Sequence, residues 1–177
     1  NYPIVDLTIV DPYQIPLIEG MKDTFVDVKA VLANGNQVII EMQVLSVEME
    51  KRVLYNAAKA YSSQLQRGQP YTLLKPVIAL TITDFIMFPE MELVPLVITY
   101  FKLLETRRFT EYNNDIELVF VELPKFKKTE TELTTLTDKW IYFVKHAGTL
   151  ELIPASLAVE PTITQAFSIA NEASLTR

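Results

Sequence analysis

The 177-residue chain reads as an α/β protein, a mixed sheet flanked by helices, on three observations. An apolar pattern of period 2 runs through residues 24–44, and an amphipathic pattern of helical period follows over 46–68. A continuous apolar run of strand length then fills 76–83, as in a strand buried on both faces. Strand, strand, helix, buried strand, followed by more strands and helices, is the order of a mixed α/β sheet.

Taken in order, residues 4–10 form a short strand and Pro12 and Pro16 mark a loop. In 24–44 the even positions Val26, Val28, Ala30, Leu32, Val38, Ile40, Met42 and Val44 are all apolar, which predicts one buried face across two strands. Asn34-Gly35-Asn36 reads as their three-residue turn. Ser46 suits a helix N-cap, Glu48 and Glu50 suit the first turn, and Gly68 marks the far end. The predicted inner stripe of that helix is Val53, Leu54, Ala57, Ala58, Tyr61 and Leu65, with Arg52, Lys59, Ser62 and Gln66 facing elsewhere. Pro95 assigns residues 92–100 to a sheet edge. "LLETRRFTEYNND" is loop-like, 116–123 is a strand, and 130–147 is a helix carrying Leu133, Leu136, Trp140, Phe143, Val144 and Ala147. Pro161 opens a last helix with Ile163, Ala166, Phe167 and Ala170 on one face.

A hydrophobic share of 49% with 21% charge predicts one compact domain over residues 1–177, without internal repeats. A start without methionine and a polar tail are read as truncation at both ends. No run of 18 uncharged apolar residues occurs, so the expectation is a soluble, cytoplasmic protein with no membrane partner. The absence of cysteine, with a single histidine, excludes thiol chemistry, disulfides and Cys/His zinc sites. Four scattered glycines leave no phosphate-cradling loop. The net charge of -6 gives no global basic field, so a nucleic-acid partner would need local patches or a bound cation.

If the even positions share the buried face, the odd ones share its opposite: Asp27, Lys29 and Val31 on one strand, Ile39, Glu41 and Gln43 on the next. A loop over residues 34–36 sets Asp27 opposite Gln43 and Lys29 opposite Glu41, all within about 8 Å. Two readings follow. Lys29 and Glu41 form an exposed ion pair worth about 0–1 kcal/mol, or the carboxylates hold a divalent metal, for which hard oxygen ligands favour Mg²⁺ or Mn²⁺.

The order Asp, hairpin, Glu-x-Gln, helix, buried strand resembles the PD-(D/E)XK nuclease superfamily. The blocks "VDVKAVLANGNQVIIEMQV", "KRVLYNAAKAYSSQLQRGQPYTLLKPVIALTITDF", "ELPKF" and "WIYFVKHA" resemble, more closely, its PD-(D/E)XK nuclease family transposases, the recombination-promoting nucleases, over most of residues 20–175. The resemblance implies a restriction-endonuclease-like fold and a Mg²⁺- or Mn²⁺-dependent DNA endonuclease that hydrolyses phosphodiester bonds in recombination or transposition. It makes Asp27 and Glu41 the metal ligands and sets Gln43 at the place of the superfamily lysine. Glutamine carries no charge; Gln43 is then expected to orient the attacking water, while Lys29, by face parity, supplies the cation. "YSSQL" implies Tyr61 and Gln64 as further site candidates. Lys51, Arg52, Lys59 and Arg67 are candidate contacts to the DNA backbone, as are Arg107, Arg108, Lys125, Lys127 and Lys128. The alternative function is a catalytically inactive nuclease-fold module that binds DNA or protein. A homodimer is compatible with either. His146 is read as structural, and Asp84 as a turn residue rather than a third acidic ligand.

Overall fold

The computed structural model describes residues 6–14, 24–44, 48–91 and 96–175. Six strands form one mixed sheet: β1 (Leu7–Val10), β4 (Val28–Leu32), β5 (Gln37–Gln43), β6 (Val77–Thr83), β7 (Ile98–Lys102) and β8 (Ile116–Glu122), in the order β1-β4-β5-β6-β8-β7. The short β2 (Tyr13–Gln14) and β3 (Thr24–Phe25) pair separately. The core trio β5, β6 and β8 is parallel, and the other sheet contacts are antiparallel. As expected, the apolar run β6 is central and β7, after Pro95, is an edge strand. The parts of those predicted segments at 4–5 and 92–95, and the proposed cap Ser46, lie outside the described residues.

Helix α1 (Met49–Ser62) covers one face of the sheet. Between them sit Ile39, Val77, Ala79 and Phe120 of the strands and Met49, Val53, Ala57 and Ala60 of the helix. Ala57 and Ala60 have no exposed surface, and their small side chains let the helix backbone approach the strands closely. The other face packs Leu80, Ile82 and Val121 against Ile141 of α2 (Leu136–His146). Beyond it, α3 (Ala155–Ala158) and α4 (Pro161–Leu175) build a satellite cluster on Phe143, with Leu157 and Ile163 fully buried. Among the described residues no helix is long and apolar enough to cross a membrane.

Three expectations are corrected. The β4–β5 turn is Ala33-Asn34-Gly35, because Leu32 donates to the Asn36 carbonyl at 2.8 Å and Gly35 adopts φ +87°. Its length stays odd, so odd positions still face one another, but the register moves and Lys29 pairs with Ile39 instead of Glu41. The odd face of β5, read as the outward one, is the face α1 covers: Ile39 and Glu41 are buried whereas Met42 and Val44 are exposed. Finally, α1 is turned relative to the predicted stripe and ends early. Leu54 is 54% exposed while Asn56 and Lys59 are buried, and the helix stops at Ser62, six residues before Gly68. Ser62 and Ser63 bond back to the Lys59 and Ala60 carbonyls, offering the backbone an alternative to further helix.

Candidate active site

Polar residues gather where β5, β6 and β8 end at their carboxyl termini. In register, Glu41 lies beside Thr81 and Gln43 beside Thr83, which in turn lies beside Glu122. These side chains share the α1 face, since Glu41 and Gln43 are two apart on a strand. In parallel α/β sheets this end is where ligands are received.

Glu41 is nearly buried, at 3% exposed. Asn56, from the second turn of α1, donates its amide to Glu41 Oε1 at 2.5 Å. The other oxygen, Oε2, is buried and accepts no hydrogen bond from among the described residues; the Arg52 Nε stands 3.4 Å from it, beyond good hydrogen-bond geometry but close enough for charge to matter. Asn56 Oδ1 is likewise buried without a partner. A buried carboxylate oxygen without a hydrogen bond costs free energy unless a cation compensates it, and here the half-exposed Arg52 side chain is that cation.

Asp27 reaches the same strand by a different route. It follows the short β3 and precedes the first paired residue of β4, and its exposed carboxylate accepts from the Met42 backbone N–H at 2.6 Å. The ladder between β4 and β5 stops at Val28–Ile40, and the Asp27 side chain takes over as acceptor for the next amide along. Asp27 is thereby fastened to the residue between Glu41 and Gln43.

The remaining candidates divide. Lys29 lies across from Ile39 and not from Glu41; burial lowers its pKa and the Asp11 carboxylate partly restores it. Tyr61 donates to Asp115 Oδ2 at 2.9 Å, and burial together with this bond raises its pKa. The Gln64 side chain bonds both the N–H and the carbonyl of Lys75. These contacts fasten α1 and the residues just after it to the chain just before β8 and β6, at the opposite strand end from Gln43. Of the cationic candidates Lys51, Arg52 and Arg67 are exposed, whereas Lys59 is buried at 4% and presents no ammonium to a DNA backbone. Lys125 is also withdrawn: it pairs with Glu122 at 2.8 Å, both side chains buried, and Glu122 further accepts from the Met87 and Phe88 amides. Lys128 pairs with Asp138 at 2.7 Å. Asp84 is exposed at the turn after β6, donating its N–H to the Gln43 carbonyl.

Asn56 and Glu122 escaped the sequence reading. A lone amide in a helix and a carboxylate ending an apolar strand carry no spacing signal; only the turned face of α1 and the parallel register bring them in. A cleft of about 330 Å³ opens at this end, between Met49 and Lys51 at the start of α1 and Phe85 to Met87 after β6. A larger one, about 530 Å³, lies on the opposite face against α2, and Glu41 lines neither.

The model of the PD-(D/E)XK nuclease family transposases matches residues 1–177, the whole chain. The chain belongs to this family. No curated protein and no solved structure matched it. The six-stranded mixed sheet with flanking helices is the restriction-endonuclease-like architecture of the PD-(D/E)XK transposases, and membership makes DNA their substrate class. PD-(D/E)XK nucleases as a group use divalent metals. Among the described residues no three or more His, Cys, Asp or Glu side chains are gathered as a metal cage. Mg²⁺ does not need one, since it is held by one or two carboxylates and keeps several waters. Two carboxylates, Asp27 just before β4 and Glu41 on β5, offer hard oxygen donors of the type such an ion takes.

Proposed function

We propose that this chain is a divalent-metal-dependent DNA endonuclease acting in recombination or transposition. The observation that carries the reading is Glu41: a nearly buried carboxylate with one oxygen held by Asn56 and the other lacking a hydrogen bond. Asp27 and Glu41 would hold Mg²⁺ or Mn²⁺, which supplies polarisation of a phosphate oxygen and a bound water of lowered pKa. Asn56 fixes the rotamer of Glu41, so that its open oxygen is preset. Gln43, two residues on along the same face, has an amide able to accept from one proton of a water and direct its lone pair at phosphorus. Lys51, Arg52 and Arg67 are exposed cations suited to the DNA backbone.

The test is calorimetric titration of Mn²⁺ together with plasmid nicking, on the wild type and on Glu41→Ala and Asp27→Asn. Wild-type binding and nicking, with nicking lost by at least about 100-fold in both variants, is the expected result. Glu41→Ala leaving both unchanged would overturn the reading. A second reading, the inactive DNA- or protein-binding module, is favoured by Gln43 standing where the superfamily has lysine and by Lys29 facing Ile39. Metal binding without nicking on any DNA form is its signature.

A further inference from the structure

Arg52 stands 3.4 Å from the open oxygen of Glu41, and the geometry of the contact gives it a role of its own. Arg52 sits in the first turn of α1, its N–H bonded to the Glu48 carbonyl at 3.1 Å, one helical turn before Asn56. Positions 52 and 56 therefore share a helix face, and they divide the two oxygens of Glu41 between them. Asn56 makes a short hydrogen bond to Oε1, while Arg52 approaches Oε2 at 3.4 Å without hydrogen-bonding it. The two side chains also differ in freedom: Asn56 is 1% exposed, whereas the Arg52 side chain is 48% exposed. One partner is fixed and the other is free to swing toward solvent.

We infer that Arg52 is the resident counter-ion of Glu41, a positioning residue that neutralises the buried carboxylate until a divalent cation takes the same oxygen. This rests on the proposed metal-dependent function. A buried carboxylate needs a compensating charge, and the arginine supplies it without spending the Oε2 lone pairs on a hydrogen bond. A metal arriving at Oε2 then meets a like charge that must withdraw. Withdrawal is open to Arg52 because half of its side chain is already in solvent, where its guanidinium can turn to a phosphate oxygen. Arg52 thus sets a threshold for metal binding.

The test is calorimetric titration of Mn²⁺ at pH 8 into the whole chain, wild type against Arg52→Gln, Arg52→Met and Arg52→Lys, with thermal unfolding in EDTA and in Mn²⁺. Removing the charge should tighten Mn²⁺ binding by about tenfold, as expected for a like charge a few ångström away at partial exposure. Both neutral variants should melt lower than the wild type in EDTA and regain more of the difference in Mn²⁺. Arg52→Met keeps the aliphatic stem and carries the test should Arg52→Gln fail to fold. Arg52→Lys keeps the charge and should stay within about threefold of wild-type affinity. Unchanged or weaker Mn²⁺ binding by the neutral variants, beside a wild type that binds, overturns the role of Arg52 and leaves the nuclease reading standing. A wild type that binds no Mn²⁺ removes the nuclease reading and this inference with it.

Discussion

Asp138, at the third position of α2, shows how one carboxylate can be held ionised in a mostly covered place. It accepts from the Lys128 ammonium at 2.7 Å and from the Thr135 N–H at 3.2 Å, closing a capping box whose other half is Thr135 Oγ1 accepting from the Asp138 N–H at 3.0 Å. Burial pulls its pKa upward, but the bonds from Lys128 and Thr135 outweigh it and bring the group from 3.8 down to about 2. Because the folded-state value is the lower one, the contribution to stability is complete above the ordinary carboxylate value. It fades as pH falls from 3.8 through about 2. Asp138→Asn should therefore cost about 1–2 kcal/mol in urea unfolding at neutral pH, the scale of a lost cap. The gap to the wild type should narrow across that acid window, and a gap that stays constant with pH would show that the carboxylate's charge plays no part. Glu41 is the opposite kind of residue, with one oxygen secured and one left open. Period 2 put Glu41 on one face with Gln43 but read that face as the outward one, and Asn56 was not legible at all, since its significance depends on which side of α1 meets the sheet.

At the scale of elements, the hairpin was legible and the helix only in part. Alternation fixes which residues share a face, and an odd turn preserves that relation even though the turn sits at residues 33–35 rather than 34–36. Which face is covered is decided by α1, and its sequence is ambiguous: Leu54 and Ala58 suggest one inner stripe, Val53, Ala57 and Ala60 another. Packing chooses the second, because two alanines allow close approach to β6 and because Asn56 then meets Glu41. The choice leaves Leu54 outside and draws Lys59 in, against hydrophobicity alone. Ala57→Leu should then overpack the interface and cost about 1–3 kcal/mol in chemical denaturation. Ala58→Leu, one residue along on the exposed side, should fall within about 0.5 kcal/mol of the wild type. Equal losses at both positions would contradict the observed face of α1.

Over the whole molecule, the sheet serves two layers at once. Its α1 face carries the Glu41 end, and its other face carries α2, whose Trp140 packs edge-on against Phe143 at 5.9 Å. The two sides also meet at the strand ends, where Glu122 holds the Met87–Phe88 loop and Lys125, its partner, stands at the start of the connection to α2. A chain built this way should unfold as one unit: Trp140 fluorescence, sensing the α2 side, and far-UV circular dichroism, sensing all elements, should give the same urea midpoint. An earlier fluorescence transition would mean that the helical layer departs before the sheet. The central place of β6 was legible because apolar runs mark strands buried on both faces. The Glu122–Lys125 pair was not, because in sequence Lys125 is one of several lysines near an apolar strand's end and reads as surface.

The turn Ala33-Asn34-Gly35 has a consequence for how this chain can vary. Asp27 enters the site only because three residues close the hairpin, with Gly35 in a left-handed conformation that a side chain would strain. A single inserted or deleted residue would send every side chain of β4 to the opposite face, and Asp27 with it. Surface loops ordinarily drift in length between relatives, but selection on the carboxylate pair would reach into this one and hold its residue count.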